Sequence, residues 1–203
     1  MTSDDDHFIP LHGGYEKLLS YQKALIVFQG TRFFVRKWLP ARGDRTVDQM
    51  VQAARSGKQN IVEGSMASAT SKEMEIKLTN VAKASFEELR EDYADFLRDR
   101  GFAEWPYEHR YARRLRELNR KPGVTYADLQ KGIENEDAAV AANVLLGMTK
   151  VTCFLLKRQI EGLEKAFLKE GGLRERMTAA RLRMRERQRR EERETRDGRD
   201  KRD

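Results

Sequence analysis

The sequence predicts an all-α protein, and three observations indicate this class. Only four prolines interrupt 203 residues and β-branched runs are few, whereas a β-sandwich or barrel needs turn signals at short intervals. Apolar residues instead recur every three or four positions along four long segments, which is the spacing of one helix face. A chain of this length buries one core and has room for an appendage. The residues therefore predict a helical bundle with a tail.

The first two predicted helices occupy the N-terminal third of the chain. The first spans residues 15–39 and ends before Pro40, because proline disfavours helical backbone at the residue before it. The second runs from about Asp44 to Met66 and turns Val47, Ala54 and Ile61 inward. Residues 1–14 are predicted to be a flexible N-terminus.

A capping box predicts the start of the third helix. In Thr70-Ser-Lys-Glu73 the threonine hydroxyl accepts from the third backbone N–H, while the glutamate reaches back to the cap. Apolar and small residues then step by three and four from Leu78 to Phe96, and Gly101 ends the pattern. The sequence thus predicts a long third helix.

An extended connection separates the third long helix from the fourth. The segment from Phe102 to Asn135 contains two prolines, so we expect irregular structure with one short helix near Tyr107–Leu118. A second short helix is capped at Thr125, with Asp128 three residues later. The connection also carries four closely spaced arginines, namely Arg110, Arg113, Arg114 and Arg116.

The fourth long helix runs from about Glu136 to Lys169, and Gly171 ends it with Gly172. Its apolar stripe includes Val144, Met148, Val151 and Leu155. Cys153 lies among apolar neighbours on this helix, so we expect a buried and unreactive thiol. Residues 15–172 therefore form the predicted bundle.

The positive charge belongs mainly to the tail. The chain has a formal net charge of +7, but residues 173–203 hold 13 Lys or Arg against 8 Asp or Glu, an excess of five. Eight arginines of this tail are candidate nucleic-acid contacts: Arg174, Arg176, Arg181, Arg183, Arg185, Arg187, Arg189 and Arg190. We expect a charged helix that becomes disordered from Thr195 to Asp203, where Gly198 stands and no periodicity remains.

Composition excludes several classes of site. One cysteine and three scattered histidines exclude a disulfide framework and a zinc site with paired thiolates. No run approaches 18 consecutive apolar residues, and the acidic start Met1-Thr-Ser-Asp-Asp-Asp6 is the opposite of a signal peptide. We therefore expect a cytoplasmic protein without membrane contact, metal or cofactor.

A polar stripe lies beside the apolar face of the second helix. Its members on the second helix are Gln49, Ser56, Asn60 and Glu63, and those on the third helix are Ser85 and Glu88. If the two helices pair antiparallel, these side chains meet, and a buried polar group without a partner costs about 1–3 kcal/mol. Two interpretations stay open: an interhelical hydrogen-bond network that fixes register, or a site for a ligand or partner.

The stripe belongs to a longer motif, Gln49-x-x-x-Ala53-Ala54-x-Ser56-x-x-x-Asn60-Ile61-x-Glu63-Gly64. Two further motifs accompany it, Tyr21-Gln-Lys-Ala24 in the first helix and Leu78-x-x-x-Ala82-x-x-Ser85-x-x-Glu88-Leu89 in the third. From residue 15 to about 103, this set resembles the four-helix-bundle proteins first noticed as reading frames within intervening sequences of bacterial 23S ribosomal RNA genes.

The resemblance implies an up-down four-helix bundle without enzymatic activity that forms a ring-shaped pentamer. A related branch, the accessory proteins of diversity-generating retroelements, is basic and binds both nucleic acid and the element's reverse transcriptase. The charged tail resembles the suffix region of a subset of the family. This sequence departs from the family's pattern at Gly57, where a bulky apolar residue is usual, at Ala84, where glycine is frequent, and in its longer connection.

Two functional hypotheses follow. In the first, the arginines of the tail and of the connection bind RNA or DNA without sequence preference, because guanidinium groups neutralise phosphates. The eight acidic residues of the tail weaken this argument. In the second, the protein is an interaction scaffold whose tail helix docks on a partner or neighbouring subunit through one apolar face. That face consists of Leu173, Met177, Ala180 and Met184.

Membrane binding and catalysis are disfavoured. The apolar face of the tail is short and lacks Trp and Phe, which interfacial helices use. The polar stripe has no neighbouring base of suitable pKa, and His109 lies in a basic loop without a visible partner. We expect Trp38 and Trp105 to pack against the protein rather than to stack on bases.

Overall fold

A computed structural model describes residues 14–39 and 45–199 of the chain. These ranges contain seven α-helices and no strand, which confirms the all-α class. The helices are α1 (Leu19–Trp38), α2 (Arg45–Ala67), α3 (Lys72–Asp99), α4 (Arg110–Asn119), α5 (Tyr126–Ile133), α6 (Ala138–Glu170) and α7 (Leu173–Arg199). Residues 1–13 lie outside the described part of the chain. The prediction of a flexible N-terminus falls on these residues and stays a prediction.

Four of the five described helices of 20 or more residues, α1, α2, α3 and α6, pack on one another. Helix α1 contacts α2 and α6, and α3 contacts the same two helices. Where α1 meets α3, the ring of Phe34 makes edge-to-face contacts with Tyr93 and Phe96, at centroid distances of 5.2 and 4.7 Å. The buried hydroxyl of Tyr93 hydrogen-bonds Thr31 Oγ1 at 2.9 Å. The core therefore holds its one deep tyrosine with a satisfied polar end.

Gly57 of α2 makes room for a large residue of α3. A Cβ atom at Gly57 would lie 2.5 Å from Cε2 of Phe86, whose side chain is fully buried. The ring of Phe86 thus fills the space that a side chain at position 57 would need. Gly147 of α6 plays a similar part for Leu115 of α4, whose Cδ2 would lie 2.6 Å from an added Cβ.

The structure corrects two helix starts. Helix α1 begins at Leu19, because Leu18 is extended and only a 3₁₀ turn covers Tyr15–Lys17. The cap of α3 is Ser71, whose Oγ accepts from the N–H of Met74 at 3.1 Å, and Thr70 is not the cap. The hydroxyl of Thr70 instead donates to the carbonyl of Ala67, because Thr70 is still part of the turn that closes α2.

The connection between α3 and α6 forms two short helices, as the sequence predicts. Helix α4 begins at Arg110, three residues later than expected, and packs on α6. Helix α5 packs on α6 and α1, and its capping box between Thr125 and Asp128 is confirmed, with the carboxylate accepting from the N–H of Thr125 at 2.8 Å. Gly101 and Gly171 have positive φ angles of 68° and 70° at the ends of α3 and α6.

Helix α6 is long and apolar enough to cross a membrane by length and composition. The stretch Ala138–Glu175 contains an 18-residue window with mean hydropathy 1.7. Because 61% of that window is buried inside the protein, α6 has the surroundings of a core helix. Its apolar side chains are covered by α1, α3, α4 and α5, which all pack on it.

Helix α7 differs from every other helix because no described helix packs extensively on it. It begins at Leu173, as predicted, and continues to Arg199. It therefore passes Thr195, where the sequence predicts that order ends. The last residues of the predicted disordered end, 200–203, lie outside the described part of the chain.

Candidate functional site

The arginines of α7 are displayed to solvent. Seven of the eight candidates have exposed side chains, namely Arg174, Arg181, Arg183, Arg185, Arg187, Arg189 and Arg190. The eighth, Arg176, lies outside the residues whose side chains the structure describes. Within the described part of α7, no ion pair holds Arg181, Arg183 or Arg185. These three guanidinium groups are therefore available to an external anion.

Periodicity divides α7 into an apolar stripe with arginines on both sides. Leu173 and Ala180 of the apolar stripe are half-buried, while Met177 and Met184 are 44% and 54% exposed. At 100° per residue, Arg181 and Arg185 lie on one side of that stripe and continue to Arg189, which is nearly opposite it, whereas Arg183, Arg187 and Arg190 lie on the other side. Residues 177–190 contain six arginines and one glutamate, so the charge is concentrated over about 20 Å of helix.

The arginines of α4 form a second, separate surface, since α4 packs on α6 and not extensively on α7. Arg113 and Arg114 are exposed, whereas Arg110 and Arg116 lie against tyrosines. The guanidinium carbon of Arg110 lies 4.5 Å from the ring centroid of Tyr111, and that of Arg116 lies 3.7 Å from the ring of Tyr107. These are cation–π contacts, which sequence analysis did not identify.

An aromatic cluster accompanies the α4 arginines. The ring of Trp105 stacks on His109 at 4.8 Å and contacts Tyr111 at 5.4 Å. These are ring contacts only: within the described residues, the buried Nδ1 of His109 has no hydrogen-bond partner, in agreement with the prediction. Trp105 packs against the core, as expected, and so does Trp38 of α1. The signal in the sequence is an aromatic or imidazole ring at every second residue from Trp105 to Tyr111.

Asn143 of α6 fixes the connection that carries this cluster. Its Oδ1 accepts from the N–H of Trp105 at 2.7 Å, and its Nδ2 donates to the carbonyls of Ala103 and Ala139 at 3.0 and 2.9 Å. The side chain is buried, so its three bonds are made away from competing water. Nothing in the local sequence marks Asn143, because its main partners lie about 40 residues earlier.

A groove of about 470 Å³ lies between α4, its preceding loop and α6. Trp105, Tyr107, Leu115, Arg116, Gly147 and Phe154 are among its lining residues. Tyr107 and Phe154 are 68% and 62% exposed. We call this the α4–α6 groove. It combines open aromatic surface with a cationic helix.

The polar stripe of α2 and α3 combines a hydrogen-bond network with an open groove. Ser56 and Ser85 lie 3.1 Å apart between their hydroxyl oxygens. The amide of Asn60 donates to the carbonyl and hydroxyl of Ser56 at 2.9 and 3.2 Å. Glu63 is exposed and does not join them. Gln49 and Glu88 line an open groove of about 680 Å³, and Ser56 and Ser85 line the same groove.

Asp92 of α3 and Cys153 of α6 have shifted pKa values. Partial burial raises the pKa of Asp92, in the same groove, to about 6, and the carboxylates of Asp95 and Glu88 add to the effect. Burial, followed by the charge of Glu87, raises the pKa of the Cys153 thiol to about 12. A thiol that stays protonated is a poor nucleophile. Among the described residues, no group of three His, Cys, Asp or Glu side chains is placed to hold a metal ion.

Comparison with known proteins finds no matching family model, no matching characterised protein and no matching solved structure.

Proposed function

We propose that this chain is a non-enzymatic accessory module that binds nucleic acid without sequence preference through its arginine-rich helices. The observation that carries the proposal is α7: six arginines and one glutamate lie within residues 177–190 of an exposed helix that no described helix covers extensively. Each phosphate that an arginine neutralises releases a bound counterion, and this release supplies most of the free energy of non-specific binding.

The architecture and assembly are part of the same proposal. An up-down four-helix bundle of the 23S ribosomal RNA intervening-sequence family is supported by the mutual packing of α1, α2, α3 and α6 and by the Ser56–Ser85 contact within the family motif. A pentameric ring would present α7 five times, and multivalency would then strengthen weak contacts. A reverse transcriptase is the protein partner that the related branch suggests, in a cytoplasmic setting.

Substitution of one arginine stripe tests the proposal. In the full chain, Arg181→Gln, Arg185→Gln and Arg189→Gln remove three charges while keeping good helix formers. Affinity for a fluorescent duplex should fall, and the slope of log affinity against log salt should lose about 2–3, because each phosphate contact contributes about 0.9 to it. Titrations at several salt concentrations measure this.

A matched control separates α7 from total charge. Arg55→Gln, Lys77→Gln and Lys157→Gln remove three exposed positive charges from α2, α3 and α6. This variant should keep the salt slope of the unaltered chain. Equal losses in both variants would contradict a role for α7, and failure of the unaltered chain to bind RNA or DNA at low salt would overturn the function.

A scaffold function is the second candidate, and the exposed apolar stripe of α7 favours it. Met177 and Met184 are about half exposed although they lie on one helix face. If this face docks on a neighbouring copy, Met177→Ser with Met184→Ser should lower the mass measured by light scattering. The matched variant Leu168→Ser on α6, also at an exposed site, should leave the mass unchanged.

A further inference from the structure

The α4–α6 groove exposes two large aromatic rings from separate elements. Tyr107 belongs to the loop before α4, and Phe154 belongs to α6, yet both line the same groove. Each is more than 60% exposed. Exposed aromatic side chains that line one groove together are typical of a binding surface, unlike apolar side chains exposed singly. Its volume of about 470 Å³ lies in the range of small-molecule sites.

Charge around the groove favours a polyanion: Glu104 also lines the groove, but its charge is paired with that of Lys150. Residues 110–121 include six basic residues and one glutamate. Arg116 lines the groove itself and lies over Tyr107, while Arg113 and Arg114 are exposed on the same helix. Flat apolar rings beside guanidinium groups are the combination by which proteins hold single strands, since bases stack on the rings and phosphates bind the arginines.

The groove is also held in shape. Asn143 fixes the backbone of Ala103 and Trp105, Leu115 fills the space beside Gly147, and Trp105 stacks on His109. Little side-chain or loop entropy therefore remains to be lost when a ligand binds.

We propose that the α4–α6 groove accepts unstacked bases of single-stranded nucleic acid, with the α4 arginines on the flanking phosphates. This inference rests on the proposed function and specifies its partner, because a duplex keeps its bases stacked inside and cannot place them on Tyr107 and Phe154. Helix α7 then supplies attraction to any nucleic acid, and the groove supplies a preference for single strands.

The test measures binding of the full chain to three labelled probes: a mixed-sequence 20-nucleotide DNA strand, the RNA of the same sequence and the corresponding DNA duplex. Tyr107→Ala with Phe154→Ala should weaken binding of both single strands by at least about tenfold and of the duplex by less than about twofold. Tyr107→Phe with Phe154→Tyr should restore single-strand binding to within about threefold. The control variant, Leu168→Ala with Val81→Ala, truncates two exposed apolar side chains elsewhere and should change neither.

Trp105 provides a readout at the groove itself. The chain has two tryptophans, so Trp38→Phe leaves Trp105 as the single emitter. The DNA strand should quench its fluorescence, and the duplex and a poly-glutamate peptide of equal charge should not. Quenching by the peptide to the same extent would show that the groove takes acidic peptides and would overturn the inference.

The outcomes also separate the two proposals. Equal binding of strand and duplex, unaffected by the aromatic substitutions, would overturn the single-strand inference and leave non-specific binding through α7 intact. No binding of any probe at low salt would overturn both.

Discussion

Helices α4 and α7 are both rich in arginine, but the protein holds them in opposite ways. Helix α4 inserts Leu115 beside Gly147 of α6 and places Arg110 and Arg116 on tyrosine rings. Helix α7 exposes the arginines whose side chains are described and half exposes its methionines, without extensive packing on another described helix. An arginine run therefore does not by itself indicate one role: in α4 it belongs to a shaped groove, and in α7 it forms a charged rod.

The largest expected effect tests whether α4 is held by packing and α7 is not. Leu115→Asp places a charge at the one buried position of α4, so the free energy of unfolding should fall by about 3 kcal/mol or more. Met177→Asp on α7 should change it by less than about 0.5 kcal/mol. Urea unfolding followed by circular dichroism measures both. Similar small losses would mean that α4 is as loosely held as α7.

The next effect concerns Asn143, which holds the loop before α4 through hydrogen bonds to its backbone. Asn143→Ala removes three hydrogen bonds and leaves the buried N–H of Trp105 without its acceptor, at a cost of about 2 kcal/mol. In the Trp38→Phe background, Trp105 emission should shift to longer wavelength because its backbone is released. The control Asn80→Ala removes an exposed amide on α3 and should change neither stability nor emission. An unshifted spectrum in Asn143→Ala would contradict this role of Asn143.

Two glycines of α6 sharpen the comparison further. Gly147→Ala should lower the free energy of unfolding by about 1 kcal/mol, because the Cβ would collide with Leu115 and outweigh the gain in helix propensity. Gly162→Ala meets no atom within 4 Å and should raise it by about 1 kcal/mol. Thermal and urea unfolding measure the difference. The same sign in both variants would show that α4 does not press on Gly147.

The smallest effect is a pH dependence in α3, away from both arginine-rich helices. The pKa of Asp92 is raised to about 6 in the folded state, so the folded protein binds this proton more tightly than the unfolded chain does. Stability should therefore fall as pH rises from about 4 to 6. Asp92→Asn should remove this fall and add about 1 kcal/mol or less at pH 7, since solvent screens a half-exposed carboxylate. Unfolding at pH 4 and pH 7 measures it.

That pH prediction has its own control in binding. Arginine stays ionised throughout this range, so the salt slope of nucleic-acid binding should be equal at pH 6 and pH 8. A slope that follows the titration of Asp92 would mean that α7 or α4 interacts with the groove that Gln49, Glu88 and Asp92 line.

Most helices were predictable because their signals are local. Periodic apolar residues place α2, α3 and α6 within a few residues of their observed bounds, and the capping box at Thr125 and Asp128 forms as expected. The start of α3 was placed one residue early because Thr70 and Ser71 both offer a hydroxyl. Only the path of the chain out of α2 decides that Ser71 is the cap.

The candidate sites divide along the same line. The helix faces of α2 and α3 predict that Ser56 and Ser85 meet, and the structure places their hydroxyl oxygens 3.1 Å apart. The exposure of Glu63 away from that pair, and the open groove beside Gln49 and Glu88, depend on how α2 and α3 pack. No residue pattern within either helix determines how the two helices pack at these positions.

The sequence by itself determines the helices and the charge of α7, since helical periodicity and ionisation are properties of neighbours along the chain. Only the tertiary structure decides the α4–α6 groove. Tyr107 and Phe154 are 47 positions apart, and they line one groove because Asn143 ties the loop to α6 and Leu115 packs at Gly147. Residues so far apart in the sequence are brought together by packing and buried hydrogen bonds, which act between helices and loops rather than along a single helix.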